Sequence, residues 1–191
     1  GDMLEAIRHQ LTQRYQEPHR AYHGMAHIEA LLQGQLAHRD LIQDHQAVML
    51  AIWFHDAIYD THQHDNEERS ALLAGDMLVQ AGASSTLIDS VQRKVRATHR
   101  HEWTDDDTDT AVFLDLDLGI LAASPDAYDR YADQVAQEYN WVPELAYKPG
   151  RAKVLQAFLD RPQIYFTPAL RALWEDRARA NLQREIVALT A

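Results

Sequence analysis

Three stretches of this chain carry imidazole or carboxylate groups inside runs that are otherwise apolar. Leu50 to Asp60 reads LAIWFHDAIYD, and an almost unbroken apolar segment from Ala47 to Phe54 leads directly into His55 and Asp56. Burying an ionised carboxylate beside an imidazole costs roughly several kcal/mol unless a partner compensates. A divalent cation would satisfy both groups at once, because neutral imidazole and carboxylate are ordinary ligands for such ions. A hydrogen-bonded His–Asp pair closing a core helix is the alternative. Upstream, Tyr22-His23-Gly24-Met25-Ala26-His27 sets two histidines four residues apart. On a helix that spacing puts them on one face, one turn apart, as two ligands, as a ligand beside an acid/base group, or as two surface side chains. Downstream, Phe113 to Leu118 reads FLDLDL. Residues two apart on a helix point in nearly opposite directions, so at most one of Asp115 and Asp117 faces a site shared with the histidines.

The elements that must position these groups all show helical spacing, and no stretch alternates over strand length. Helices are expected over Met3 to Tyr15, from about His23 to His38, and from about Asp44 to Ile58. Asp65 with Glu68 three residues on has the pattern of a capping box opening a helix to about Ala81, where Gly82 stops it. Ser84 or Ser85 starts the next helix, to Thr98. The acidic run Asp105 to Asp109 reads as the solvated N-terminal end of an apolar helix over Ala111 to Ala122. Ser124-Pro125 is an N-cap and N1 proline opening a helix to about Tyr139. Pro149-Gly150 separates a short helical turn from a helix over Arg151 to Arg161. Thr167-Pro168 repeats the cap-and-proline signal before a last helix to about Leu189. The expected architecture is all-α, eight or nine helices in one domain over 1–191, with a site-bearing core at about 19–122 and a C-terminal extension at about 123–191.

Composition narrows the chemistry. The chain has no cysteine, which excludes disulfides, thiolate metal sites and cysteine nucleophiles. No apolar run reaches the length of a membrane span, so a cytoplasmic protein without a membrane partner is expected. The net charge is −11, and no Lys/Arg cluster offers the basic face that neutralises a phosphate backbone, so a nucleic-acid partner is not expected. A small anionic molecule remains compatible, because a cation and a few arginines can hold it locally.

The order His, then His-Asp, then Asp, each in or ending an apolar helix, resembles the HD superfamily of metal-dependent phosphohydrolases. Tyr22-His23-x-x-x-His27 is similar to the signature of cyclic-nucleotide phosphodiesterases, distant members of that superfamily. YHGMAHI, WFHDAIYD, DNEERSA and FLDLDLGIL together resemble a smaller bacterial family of predicted metal-dependent HD phosphohydrolases. These motifs span His19 to about Leu121, and for the bacterial family the similarity continues through EYNWVPELAYKPGRAKVLQAFLDRPQIY. The resemblance implies an HD-type helical bundle and one divalent metal ion held by His27, His55, Asp56 and a late aspartate. Leu116-Asp117-Leu118 matches the family's context for that aspartate better than Asp115, leaving Asp115 as a neighbour or cap.

The resemblance further implies hydrolysis of a small-molecule phosphate ester, with nucleotides as the first class expected, and His23 as general acid to the leaving oxygen. Asp56 could orient the attacking water through its free carboxylate oxygen. A metal-binding ligand sensor or interaction module without turnover is the competing expectation. Some superfamily members bind a second metal through two histidines in the region of His99 and His101. Here Arg100 separates that pair, and an exposed polar helix end is the other reading. Glu67 could face the metal water or serve only at the helix surface. Arg20, Lys148 and Arg151 could hold a phosphate by charge-assisted hydrogen bonds, or pair with surface carboxylates.

Overall fold

The computed structural model describes residues 2–191, the side chain of Asp2 excepted, and among them there are nine α-helices and no strand. The chain divides into two compact units, residues 1–116 and 117–191. The division falls in the last turn of a helix, so Asp117 is carried by an element that otherwise belongs to the first unit.

In the first unit, α1 (Asp2–Tyr15), α2 (Met25–Ala37), α4 (Asn66–Gln80) and α5 (Ser85–Ala97) all pack on α3 (His45–His55). Leu50, Ile52 and Phe54 of α3 are fully buried, as its nearly continuous apolar sequence requires of a helix covered on every side. Asp44 caps its start by accepting from Ala47 N at 3.0 Å. The helix stops three residues earlier than its apolar sequence suggests. Asp56 leaves the helical region (φ −114°, ψ 19°), and Arg20 takes the carbonyls of Asp56 and Ala57 at 2.6 and 2.9 Å. A guanidinium at the C-terminal end of a helix satisfies carbonyls that the helix itself cannot.

Several other boundaries differ from the sequence expectation for local reasons. α2 begins at Met25, not His23, with Gly24 as its N-cap. A Cβ at Gly24 would stand 3.2 Å from the Tyr15 carbonyl, so the close approach of α1 favours glycine there. The Asp65/Glu68 capping box does not form. Asp65 makes no side-chain cap bond, while Glu68 reaches across to Arg96 on α5 at 2.7 and 3.0 Å. Ser84, rather than Ser85, caps α5 through Leu87 N at 3.1 Å.

The acidic run before α6 (Thr108–Asp117) is not a solvated end either. Asp109 is buried and receives the Gln43 and Asp44 backbone N–H groups at 2.9 and 2.8 Å. Asp107 takes the ammonium of fully buried Lys94 at 2.9 Å. Four residues of expected helix after α6 form a 3₁₀ turn instead, Gly119–Ala122.

In the second unit, α7 (Pro125–Glu138), α8 (Glu144–Leu159) and α9 (Pro168–Thr190) enclose a core that includes Leu121, Tyr128, Leu155, Tyr165 and Leu182. The 3₁₀ turn is held there by partners on other segments. Tyr165 OH donates to Leu118 O at 2.8 Å, Asn181 Nδ2 to Leu121 O and Ala123 O at 2.8 and 2.9 Å, and Arg177 to Ala122 O at 2.8 Å. These bonds replace the i→i−4 ladder that would have continued α6. α8 runs unbroken through Pro149-Gly150, where a break was expected. Proline there removes one hydrogen bond, to Leu145, a residue 93% exposed and therefore open to water. Thr167 precedes Pro168 as expected but makes no side-chain cap bond.

Candidate metal centre

His27, His55 and Asp117 each offer a ligand atom, and the three atoms lie within 4.8 Å of one another. They come from the first turn of α2, the last residue of α3 and the last residue of α6. Both imidazoles are buried and Asp117 is partly so. Among the described residues this is the one group of three or more histidine and acidic side chains close enough to share an ion.

The tautomer of His55 follows from its surroundings. Its Nδ1 lies 2.7 Å from the Ile52 carbonyl, which can only accept, so Nδ1 carries the hydrogen and Nε2 the lone pair. That arrangement is the usual outer support of a metal-binding imidazole. Asp56 Oδ2 stands 2.9 Å from His55 Nε2 and 3.6 Å from His27 Nε2. Two acceptors facing each other at such a distance need positive charge, supplied either by a proton on the ring or by a cation bound to both. The donor set of two imidazoles with nearby carboxylates therefore fits a divalent ion.

Tyr15 and Arg20 hold the corner that presents this pair. Tyr15 OH donates to Trp53 O at 2.7 Å and accepts from Asp56 N at 3.3 Å. Arg20, its side chain fully buried, also donates to Glu17 Oε1 at 3.0 Å and to His23 O at 3.1 Å. Its guanidinium stacks 4.9 Å above the Tyr15 ring. Sequence alone leaves Arg20 available to a phosphate; in the fold its donors are taken by protein oxygens, and it fastens the segment before α2 to the end of α3.

His23 lies just before α2 and not on it, so the one-turn spacing to His27 does not apply. The two rings are nonetheless 5.9 Å apart, because the bend at Gly24 turns His23 back beside the helix. Its ring stacks on Tyr59 at 4.3 Å. Tyr59 also carries His19, whose Nε2 donates to the Tyr59 carbonyl at 2.7 Å. Tyr15 and Tyr59 are supports of the site that its pattern of histidines and aspartates does not mark. Tyr59 has a signal in its place three residues after Asp56, whereas nothing local marks Tyr15.

The remaining expected residues are distributed as follows. Asp115 is almost fully buried but does not belong to the three-residue group. His99 is about half exposed and its Nδ1 pairs with Glu67 Oε2 at 3.2 Å; His101 sits in the left-handed region at φ 50°. None of Glu67, His99 and His101 joins a metal-sized cluster among the described residues. Lys148 pairs with Glu144 one turn away on α8 at 2.9 Å. Arg151 forms a two-pronged ion pair with Glu185 of α9 at 2.9 and 3.2 Å and bonds Tyr131 OH at 3.3 Å. Burial works against its charge, but Tyr131 and Glu185 raise its pKa further above the ordinary arginine value. Lys148 and Arg151 are thus engaged within the second unit.

No protein-family model, curated protein or solved structure matches the chain.

Proposed function

We propose that this chain is a metal-dependent phosphohydrolase that cleaves a phosphate ester of a small molecule, with nucleotides as the leading class. The observation that carries this reading is the convergence of His27, His55 and Asp117 from three separate helices, with Asp56 against both imidazoles. The resemblance of the motif order to the HD superfamily supports it from the side of sequence. A divalent ion held by His27, His55 and Asp117, with Asp56 beside them, would polarise a phosphoryl oxygen and acidify water at neutral pH.

The chain's own groups divide the proton chemistry. Asp56 keeps a partly exposed carboxylate, 18% of its side-chain surface, and would accept a proton from the attacking water. His23 is half-buried, outside the three-residue group, and held by stacking on Tyr59; it would protonate the leaving oxygen as the ester bond breaks. Arg20 acts at one remove, fixing the backbone on both sides of the site.

One observation favours a second reading, a ligand sensor without turnover. Each cation expected to hold the phosphate already pairs with protein oxygens: Arg20 with Glu17, Lys148 with Glu144, Arg151 with Glu185. The deciding experiment is phosphate release from a panel of nucleotides and phosphomonoesters, with Mg, Mn, Fe, Co, Ni and Zn each supplied in turn. Turnover that a chelator and Asp117→Ala both abolish supports the enzyme. Tight, metal-dependent nucleotide binding with no product under any condition replaces it with the sensor.

A further inference from the structure

On the first unit, a groove of about 550 Å³ is lined by residues of α2 and α3 together with Arg8 of α1, side chains other than those of the metal centre. Its walls are two i,i+4 pairs, Leu32 and Leu36 on α2 and Met49 and Trp53 on α3. Leu36 is 62% exposed, a large apolar side chain that the fold leaves at the surface. Gln35 donates to His45 O at 2.9 Å and ties the two helices together at one end. Arg8 lies with its guanidinium 5.7 Å from the Trp53 ring centroid, and Arg39 stands at the groove's other cationic position.

The charge pattern runs against that of the chain. Net charge is −11, yet no carboxylate lines this groove. Neither Arg8 nor Arg39 forms an ion pair among the described residues. Apolar walls with unpaired guanidinium groups match a ligand that is apolar along its body and anionic at one end.

We propose that this groove binds a small amphipathic organic anion, an aliphatic or aromatic body carrying a single acidic group. The volume falls within the roughly 300–1,000 Å³ of small-molecule sites. A free molecule, not an anionic lipid surface, is the occupant, because a chain of charge −11 is repelled by such a surface beyond the two arginines.

The test uses the full chain with 1-anilinonaphthalene-8-sulfonate, whose fluorescence reports burial, and N-phenyl-1-naphthylamine, its neutral counterpart. One saturable site for the sulfonate, at least tenfold tighter than for the neutral amine and displaced by decanoate, is the expected result. Arg8→Gln and Arg39→Gln should each weaken sulfonate binding about three- to tenfold and leave the amine unchanged, as loss of a charge-assisted contact near the surface predicts. Leu36→Glu, at an exposed position that circular dichroism can show to be folded, should abolish sulfonate binding. Equal affinity for the two dyes, or insensitivity to all three variants, overturns the proposal. So does retention on phosphatidylglycerol vesicles that Arg8→Gln removes, which assigns the groove to lipid. A dimer in sedimentation that Leu36→Glu dissociates assigns it to a second copy of the chain. None of these readouts requires metal or turnover, so they stand apart from the phosphohydrolase reading.

Discussion

His23 lies against His27 yet outside the His27/His55/Asp117 group, so its removal separates proton transfer from metal binding. His23→Ala is expected to keep the metal and to lower hydrolysis of a poor leaving group about 10²–10⁴-fold, the usual contribution of a positioned acid. A nitrophenyl ester should lose much less, because its leaving oxygen needs little protonation. Loss of metal from the variant would instead make His23 a ligand. The two late aspartates divide in the same way. Asp117→Ala should release the ion, measured by elemental analysis of the purified protein, whereas Asp115→Asn should retain its full stoichiometry. The reverse pattern would transfer the ligand role to Asp115.

At the scale of elements, the junction of α5 with the start of α6 depends on one buried charge. Lys94 is fully buried and its ammonium meets Asp107 Oδ2 at 2.9 Å and Ser90 Oγ at 2.8 Å. Burial works against ionisation of Asp107, but the Lys94 hydrogen bond prevails and holds its pKa below the ordinary 3.8. A carboxylate with a depressed folded-state pKa stabilises fully above the unfolded value and loses that contribution as pH falls through the folded one. Asp107→Asn leaves the Lys94 charge buried with only a neutral partner, at a cost of about 3 kcal/mol. Urea denaturation at neutral pH should show that loss. Below the titration of Asp107 the gap between wild type and variant should close, and a gap that persists once NMR shows the Asp107 carboxyl protonated would assign the effect to packing. Because α6 carries Asp117 at its far end, the same variant tests whether the start of this helix matters to the metal group.

At the scale of the molecule, the two compact units have different cores and different polar supports. The second is pinned by Arg151 and Glu185, each about one-tenth exposed, with Tyr128 OH donating to Glu185. Burial and the Glu185 carboxylate together drive the Tyr128 pKa far upward, so the phenol stays neutral and keeps donating. Glu185→Gln removes the counter-charge of a nearly buried guanidinium and should destabilise by about 3 kcal/mol. If the units are also cooperative units, hydrogen exchange should accelerate in α7–α9 while amides of α3 and α5 keep their protection. Equal acceleration everywhere would show that the chain unfolds as one.

Helical class, the apolar run that leads into His55-Asp56, and the residue types able to ligate a cation are legible in the sequence alone, although its pattern carries that helix three residues too far. These follow from local pattern: period, caps and polar interruptions of apolar runs are properties of neighbours in the chain. Tertiary structure brings Asp117, the aspartate that the family resemblance already favours, and not Asp115 into one group with the histidines. It also decided that Arg20 fastens backbone, that Asp109 is buried under the start of α3, and that His23 reaches His27 around a bend and not along a helix. Each depends on an acceptor or ring supplied by a residue remote in sequence or by a break in the helix. Helical periodicity carries no information about either.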